Sequence, residues 1–535
     1  MVMNRKPDES TASALQTSMN TNLNPLRSHR LIKSKLVASG LLVLTVMNVQ
    51  AQGAGTAAGK PLVTIVPRVS LTETLTNNVE LSNISPRSEQ ITEISPGIRL
   101  QIDSGRIKTY LDYALTETVY AQNTSPSNYS QALNAFGSVQ AIENQVFIDF
   151  SGTISQQTIS AFGVQSLDNT SLNANQTEVS TYRISPYLKG QLAGIADYEA
   201  RLSRSITASD ADTASGSANH STVKLTSSNS FKGLGWSADL GRQRVSYSKG
   251  RTTESDTANI GPFYNINPQI QIYAKAGRET SNFTNEFKQN FNTSSIGVKW
   301  LPSTLSSLTL DRSHRSFGDV YNLSLQHRSG RTVWKFTDNK DISTTPSQTG
   351  ISSKGSIYDL LFSQFASTQP DPVARAQMVD NYLLTNGLSA TANADNSFLT
   401  SAISLQRRQE LSFALLGVRD TITFAASRSE TSRLDTISTG VDDLANAGQV
   451  YQQALSLQYA HRLTPDYALS LLFSRQKTSG KASLTDSNLR SVNVNVSGKL
   501  GKQSAISLGA RRTIAAGDSS PYSESAVIGH IRVQF

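Results

Sequence analysis

From about residue 60 to the last residue, segments of roughly ten residues alternate apolar and polar side chains, and polar turns separate them. No other feature constrains the fold as strongly. Side chains of an extended chain point alternately to opposite faces, so each segment presents one apolar and one polar side. In 64–74, Ile65, Pro67, Val69 and Leu71 share a face while Thr64, Arg68, Ser70 and Thr72 take the other, with Val66 as the exception. Ile94, Pro96, Ile98, Leu100 and Ile102 repeat the pattern, and beyond Asp103-Ser104-Gly105 so do Ile107, Leu111, Tyr113 and Leu115. That tripeptide suits a hairpin turn. Comparable runs recur to Tyr467, Leu469, Leu471 and Phe473, then Val492, Val494 and Val496, then Ile506, Leu508 and Ala510. The total comes to about 20 strands.

Mean hydropathy is -0.30 and hydrophobic residues make up 37%. A helical membrane bundle, which needs repeated apolar runs of about 20 residues, is thereby excluded. A transmembrane barrel is not, because only alternate residues meet lipid. Connections are short near residues 104, 144, 193, 302 and 465, and long and polar near 120–130, 158–178, 205–220, 247–265 and 430–450. Short periplasmic turns and long outer loops give this asymmetry. A soluble sandwich shares the alternation, but about 20 strands without a helical layer would divide into several domains, and no linker divides the chain. The last strand alternates Val527, Ile531, Val533 and Phe535 with Ile528, His530, Arg532 and Gln534. A closed barrel must pair its final strand with its first, and Phe535 is placed as a C-terminal signal for the barrel assembly machinery. The expected fold is all-β: a large closed antiparallel transmembrane β-barrel of about 20 strands over 52–535, with one short helical insert, in outer-membrane lipid.

The insert lies near 371–386. Asp371 and Pro372 suit an N-cap and first helical position, and Val373, Ala376, Val379, Tyr382 and Leu383 follow at helical spacing until Asn386-Gly387. A helix on a loop or at the barrel rim and a plug inside the lumen both fit this pattern.

Before the barrel, Arg27, Arg30, Lys33 and Lys35 precede the apolar run Leu36 to Val49, and Val49-Gln50-Ala51 offers small residues for processing. Residues 1–51 read as an export signal cleaved between Ala51 and Gln52. A run of roughly 14 residues is short for a membrane span. The roughly 30 residues before the apolar run are unusually long for an n-region, and Met19 is a more ordinary start, which makes residues 1–18 a candidate start-site artefact.

The formal charge of +9 includes Arg5, Lys6, Arg27, Arg30, Lys33 and Lys35 against Asp8 and Glu9 in this segment, so about +5 remains without it. The remaining bases are scattered, which argues against a nucleic-acid partner. There is no cysteine, hence no thiolate chemistry. The histidines at 29, 220, 314, 327, 461 and 530 show no metal-site spacing. With no G-x-S-x-G elbow, P-loop or dinucleotide fingerprint, neither an enzyme nor a cofactor is indicated. Asp210 with Asp212 and Asp442 with Asp443 read as solvated loop charges. On the expected inward face stand Arg99, Lys108, Arg183, Lys189, Lys275, Lys299 and Lys335, against Asp103, Asp112, Asp149, Asp197, Glu199 and Asp311. A basic channel favours an anionic polymer, but mixed signs leave the bias slight.

Several motifs carry a resemblance. They include Glu73-Thr74-Leu75-Thr76-Asn77-Asn78-Val79, Ile94-Ser95-Pro96-Gly97, Phe147-Ile148-Asp149-Phe150 with Ile154-Ser155-Gln156-Gln157, and Ile184-Ser185-Pro186-Tyr187. Later come Trp300-Leu301-Pro302-Ser303, His314-Arg315-Ser316-Phe317-Gly318, His327-Arg328 with Trp334, Asp371-Pro372 with Arg375-Ala376, and His461-Arg462-Leu463-Thr464-Pro465. Together they resemble outer-membrane barrels associated with the PEP-CTERM and exosortase systems of Gram-negative bacteria. The resemblance implies a link to exopolysaccharide loci and supplies no catalytic residue. It points to a pore or conduit component with exopolysaccharide and periplasmic export proteins as partners; a non-conducting docking barrel is the alternative.

N-terminal sequencing of the protein from membranes is expected to start at Gln52. A mature chain that keeps Leu36 to Val49 in the inner membrane overturns the export reading.

Overall fold

The fold is described from a computed structural model, over residues 63–211, 215–228, 232–344, 371–385, 398–435, 442–481, 486–501, 503–517 and 521–535, with 358, 361, 362, 365 and 369 between. The export segment with Ala51 and Gln52 lies outside the described residues, as do Asp212 and the 386–387 stop of the insert.

Strands β1 to β8 span Val63–Thr76, Glu89–Asp103, Ile107–Tyr120, Asn128–Ile142, Val146–Thr158, Gln176–Leu192, Ala196–Ser209 and Gly216–Ser227. Strands β9 to β15 span Leu234–Tyr247, Thr253–Asn267, Ile270–Ser281, Gln289–Ser303, Ser306–Arg315, Gly318–Arg328 and Thr332–Ser343. Helix α1 follows at Pro372–Thr385, then β16 at Ser404–Leu416 and β17 at Asp420–Arg433. Helix α2 covers Asp443–Ala447, and β18 to β22 span Gln449–Arg462, Tyr467–Gly480, Asp486–Lys499, Ser504–Gly517 and Tyr522–Gln534. Among the described residues the barrel thus has 22 strands and two complete short helices, where the sequence indicated about 20 strands and one helical insert.

Strands adjacent in sequence pair antiparallel, and β22 pairs with β1, so the sheet has no open edge. Inside a bilayer no water can satisfy an unpaired backbone amide, so closure is what makes a sheet tolerable there. At the seam the outward residues Ile506, Ile531, Leu71 and Ile94 lie side by side across four strands. The amide of Phe535 donates to the Pro67 carbonyl, and its ring is 68% exposed on the outer face.

The outer face is apolar. Leu240, Ile260, Ile296, Leu310, Leu457, Leu471, Val494 and Leu508 are all exposed large side chains. Tyr264, Trp300, Trp334, Tyr459 and Tyr467 gather toward the ends of their strands that carry short turns, as an interfacial aromatic girdle. The positions between are buried and polar, for example Ser456 and Gln458 on β18 and Ser470, Ser474 and Gln476 on β19. Long connections such as 159–175 and 344–403 fall at one end and short turns such as 104–106 and 463–466 at the other. The turn end is therefore periplasmic.

Two expected loops are mostly strand. The 205–220 stretch is the end of β7 and start of β8, and 247–265 is largely β10, leaving connections at 210–215 and 248–252. Their outward faces carry Ser217, Asn219 and Ser221, or Glu254 and Asp256, so no apolar alternation marks them. Leu301-Pro302-Ser303, expected as a turn, lies within β12, and the chain reverses at 304–305.

On β11, Ile272 is exposed on the outer face opposite Val298, whereas Lys275 points inward and pairs with Asp239. Ala276→Arg, on the outward face level with Ile260 in the middle of the apolar band, is expected to cost about 2–4 kcal/mol, and Ile272→Arg, level with girdle residue Tyr264, only about 0–1 kcal/mol. Lys275→Gln alters only a luminal ion pair. Folding yield in lipid vesicles distinguishes them, and a reversed order means that the β11 register is wrong.

Candidate functional site: a half-filled lumen

Between β15 and β16, helix α1 and the described residues Tyr358, Leu361, Phe362 and Phe365 lie inside the barrel. Helix α1 begins as its sequence dictates: Asp371 Oδ1 accepts from the amides of Val373 and Ala374, at 2.9 and 3.0 Å. The periodic face Val373, Ala376, Val379 and Leu383 is buried with Leu361 against inward-facing Tyr110 of β3, Ala425 of β17 and Ala460 of β18. Burying Val373, Val379 and Leu383 is worth roughly 1.5–3 kcal/mol each, so the insert resides there rather than visiting. Of the two placements left open by the sequence, the helix takes the lumen.

Charge fixes its orientation. The guanidinium of Arg99 lies 2.8 Å from Asp112 and 3.5 Å from Asp380 of α1. Arg68 pairs with the other Asp112 oxygen, and Tyr110 Oη donates to Asp380. At the helix start, Lys108 pairs with Asp371. Burial alone would raise the Asp371 carboxyl, but Lys108 and the two helix amides hold it below the usual carboxylate range. Tyr382 Oη meets Thr421 Oγ1 at 2.8 Å on the far side of the helix.

Above α1, the outer loops clasp one another. Asp168, in the 159–175 loop, pairs with Arg511 of β21, which also binds Glu524 of β22 at 3.0 Å. Burial pushes Asp168 up, yet Arg511 and the Ser171 amide and hydroxyl bring it below the usual range. Asp442 and Asp443, expected as solvated loop charges, are structural. Asp442 caps α2 through the Ala445 amide and accepts from Thr400 Oγ1 at 2.7 Å, while Asp443 accepts from Ser160 Oγ and the Ala161 amide. Burial pushes the Asp443 carboxyl up.

The insert leans on the wall formed by β2 to β4 and β17 to β20. The opposite wall, β8 to β13, is covered by none of the described residues of the insert and lines a polar groove of about 670 Å³. Its lining runs from Ser255 and Arg315 near the loop end to Thr226 and Gln271 near the turn end, most of the height of the wall. Hydroxyls and amides dominate it. Lys275 is neutralised by Asp239 and Arg315 by Glu279, whereas Lys224 and His220 have no ion pair among the described residues. Phe263 and Tyr273 reach over Gly235 and Gly297, where a Cβ would stand 2.3 Å from each ring.

The seven candidate basic residues therefore scatter among different roles. Arg99 and Lys108 hold the insert, and Lys275 lines the groove. The Lys189 ammonium sits 4.4 Å from the Phe147 ring centre. Arg183, Lys299 and Lys335 form no ion pair among the described residues. Sequence reasoning missed Asp168, Arg511 and Asp380, because their partners are remote in the chain and no local pattern marks them.

A closed barrel with an apolar exterior and a polar interior is an outer-membrane β-barrel. No protein-family model and no curated protein matches the chain. Among solved structures, the FrpB iron transporter of Neisseria meningitidis superposes with a TM-score of 0.48 at 12% identity, covering 88% of this chain and 82% of that one. The siderophore receptor PirA of Acinetobacter baumannii gives 0.45 at 8%, covering 89% and 81%. The outer membrane protein opdK of Pseudomonas aeruginosa gives 0.33 at 9%, covering 88% and 99%.

Breaking a buried ion pair from one side costs on the order of 3–5 kcal/mol. The double variant Asp371→Asn with Asp380→Asn is therefore expected to loosen α1 and leave the barrel closed. Protease cleavage within 344–403 should quicken several-fold with heat-modifiable gel migration unchanged; equal cleavage rates would show that these pairs do not hold the insert.

Proposed function

We propose that the protein is a pore for hydrophilic, polyhydroxylated solutes, in which α1 narrows the lumen to one eccentric lane. The observation that carries this reading is the polar wall of β8 to β13, whose hydroxyls and amides run most of its height beside an apolar-anchored insert. Such a lining replaces the hydration shell of a neutral solute, and Phe263 and Tyr273 add aromatic surface to it that suits sugar rings. Ion pairing leaves only a slight excess of positive charge, so selection by charge is weak.

The resemblance to exosortase-associated barrels extends the proposal to saccharide, and to a place beside periplasmic export proteins. The seven basic residues then serve chiefly to seat the insert and to solvate the lane. The insert itself favours a second reading, a docking barrel that holds export partners and does not conduct.

Planar-bilayer recording separates the readings. The pore is expected to give stepwise currents of low ion selectivity, which oligosaccharides partly block and which Gly297→Leu reduces by pushing the Tyr273 ring into the lane. A folded barrel that stays silent under voltage, with and without the Asp371 and Asp380 substitutions, favours docking.

A further inference from the structure

The exterior carries a second feature that a pore does not require. Immediately on the loop side of the apolar band, Arg428, Arg475, Lys477, Arg490 and Arg512 project outward from β17, β19, β20 and β21, and all are exposed. Arg475 and Arg490 are direct cross-strand partners. Like charges placed opposite each other on a sheet destabilise it, and no carboxylate separates this pair. Arg428, Arg475 and Arg490 have no ion pair among the described residues, and Lys477 has Asp486 at 3.7 Å. Glu430, two residues from Arg428, accepts from Gln449.

The opposite exterior face differs. There Arg242 pairs with Asp256, Arg244 with Glu254, Lys288 with both acids and Arg312 with Asp319. Outward cations at the same level are thus mostly paired on β9 to β14, where Arg278 alone lacks an ion pair among the described residues, and mostly unpaired on β17 to β21.

A groove of about 470 Å³ on the outer surface joins the cations to the apolar band: Phe336, Leu411 and Leu455 line it together with Arg428, Arg475 and Lys477. It offers hydrocarbon contact on the membrane side and three positive groups above. We propose that this face binds a lipid of the outer leaflet that bears phosphate on its headgroup, with Arg475 and Arg490 sharing one phosphate between them. Guanidinium groups grip phosphate oxygens in a fixed, two-pronged geometry, and an anion between the two converts their repulsion into attraction. Continuity with the lipid-facing band selects a membrane lipid over a soluble anion, because acyl chains and headgroup engage together.

The test titrates purified, delipidated barrel in neutral detergent micelles with diphosphorylated lipid A, then with the same lipid after phosphatase treatment. Wild type is expected to bind the phosphorylated form at least tenfold more tightly. Arg475→Gln with Arg490→Gln removes that difference, while Lys275→Gln in the lumen retains it. Heat-modifiable migration reports folding, and Arg428→Gln with Lys477→Gln serves as the second variant, expected to weaken binding several-fold. Equal binding of the two lipid forms by wild type overturns the proposal. So does undiminished binding by the folded double variant, or inorganic phosphate displacing the lipid at equal concentration, which identifies a free-anion site instead.

Discussion

Everything else in this structure depends on closure of the backbone hydrogen-bond ring. A strand in hydrocarbon has no water to satisfy its amides and carbonyls, so every strand must have two neighbours. The pairing of β22 with β1 provides the last of them, and it does so in a register that keeps Ile531 beside Leu71. One residue of slip would turn the row of apolar side chains into the lumen and the Ser, Thr and Gln row into lipid. Register and closure are one constraint, imposed by the bilayer.

Closure also frees the interior. Inward positions need only be compatible with water, so the lumen can accept chain from the outer loops wherever a few apolar residues give it purchase. Tyr110, Ala425 and Ala460 supply such a patch among otherwise polar neighbours, and the periodic face of α1 covers it. Hydrophobic contact holds the helix; the Arg99, Asp112 and Asp380 cluster orients it. Buried ion pairs add little net stability after desolvation, yet a mismatched one is costly, so they discriminate between placements. The same asymmetry leaves the β8 to β13 wall without contact to the described residues of the insert.

The two faces of the wall use charge differently. Inside, acids and bases two strands apart meet, as Lys275 of β11 and Asp239 of β9 do. Outside, charges stand at the loop-side margin of the band, where lipid headgroups begin. Most of the cations on β9 to β14 have their own acids; Arg475 and Arg490 face each other with none among the described residues.

Alternation along the chain by itself determined the closed antiparallel barrel, the outward side of most strands and the helical start at Asp371-Pro372, because these follow from period, turn chemistry and capping among near neighbours. It underread β8 and β10, whose outward faces are polar near the loops, and it treated Asp442 and Asp443 as solvated. What only the tertiary structure decided was where α1 docks, which loops clasp, and which wall α1 leaves uncovered. Arg511 and Asp168, or Arg99 and Asp380, are hundreds of residues apart, and their attraction has no local signature. Curvature of 22 strands brings them within reach, and the pattern of a single strand contains nothing of that curvature.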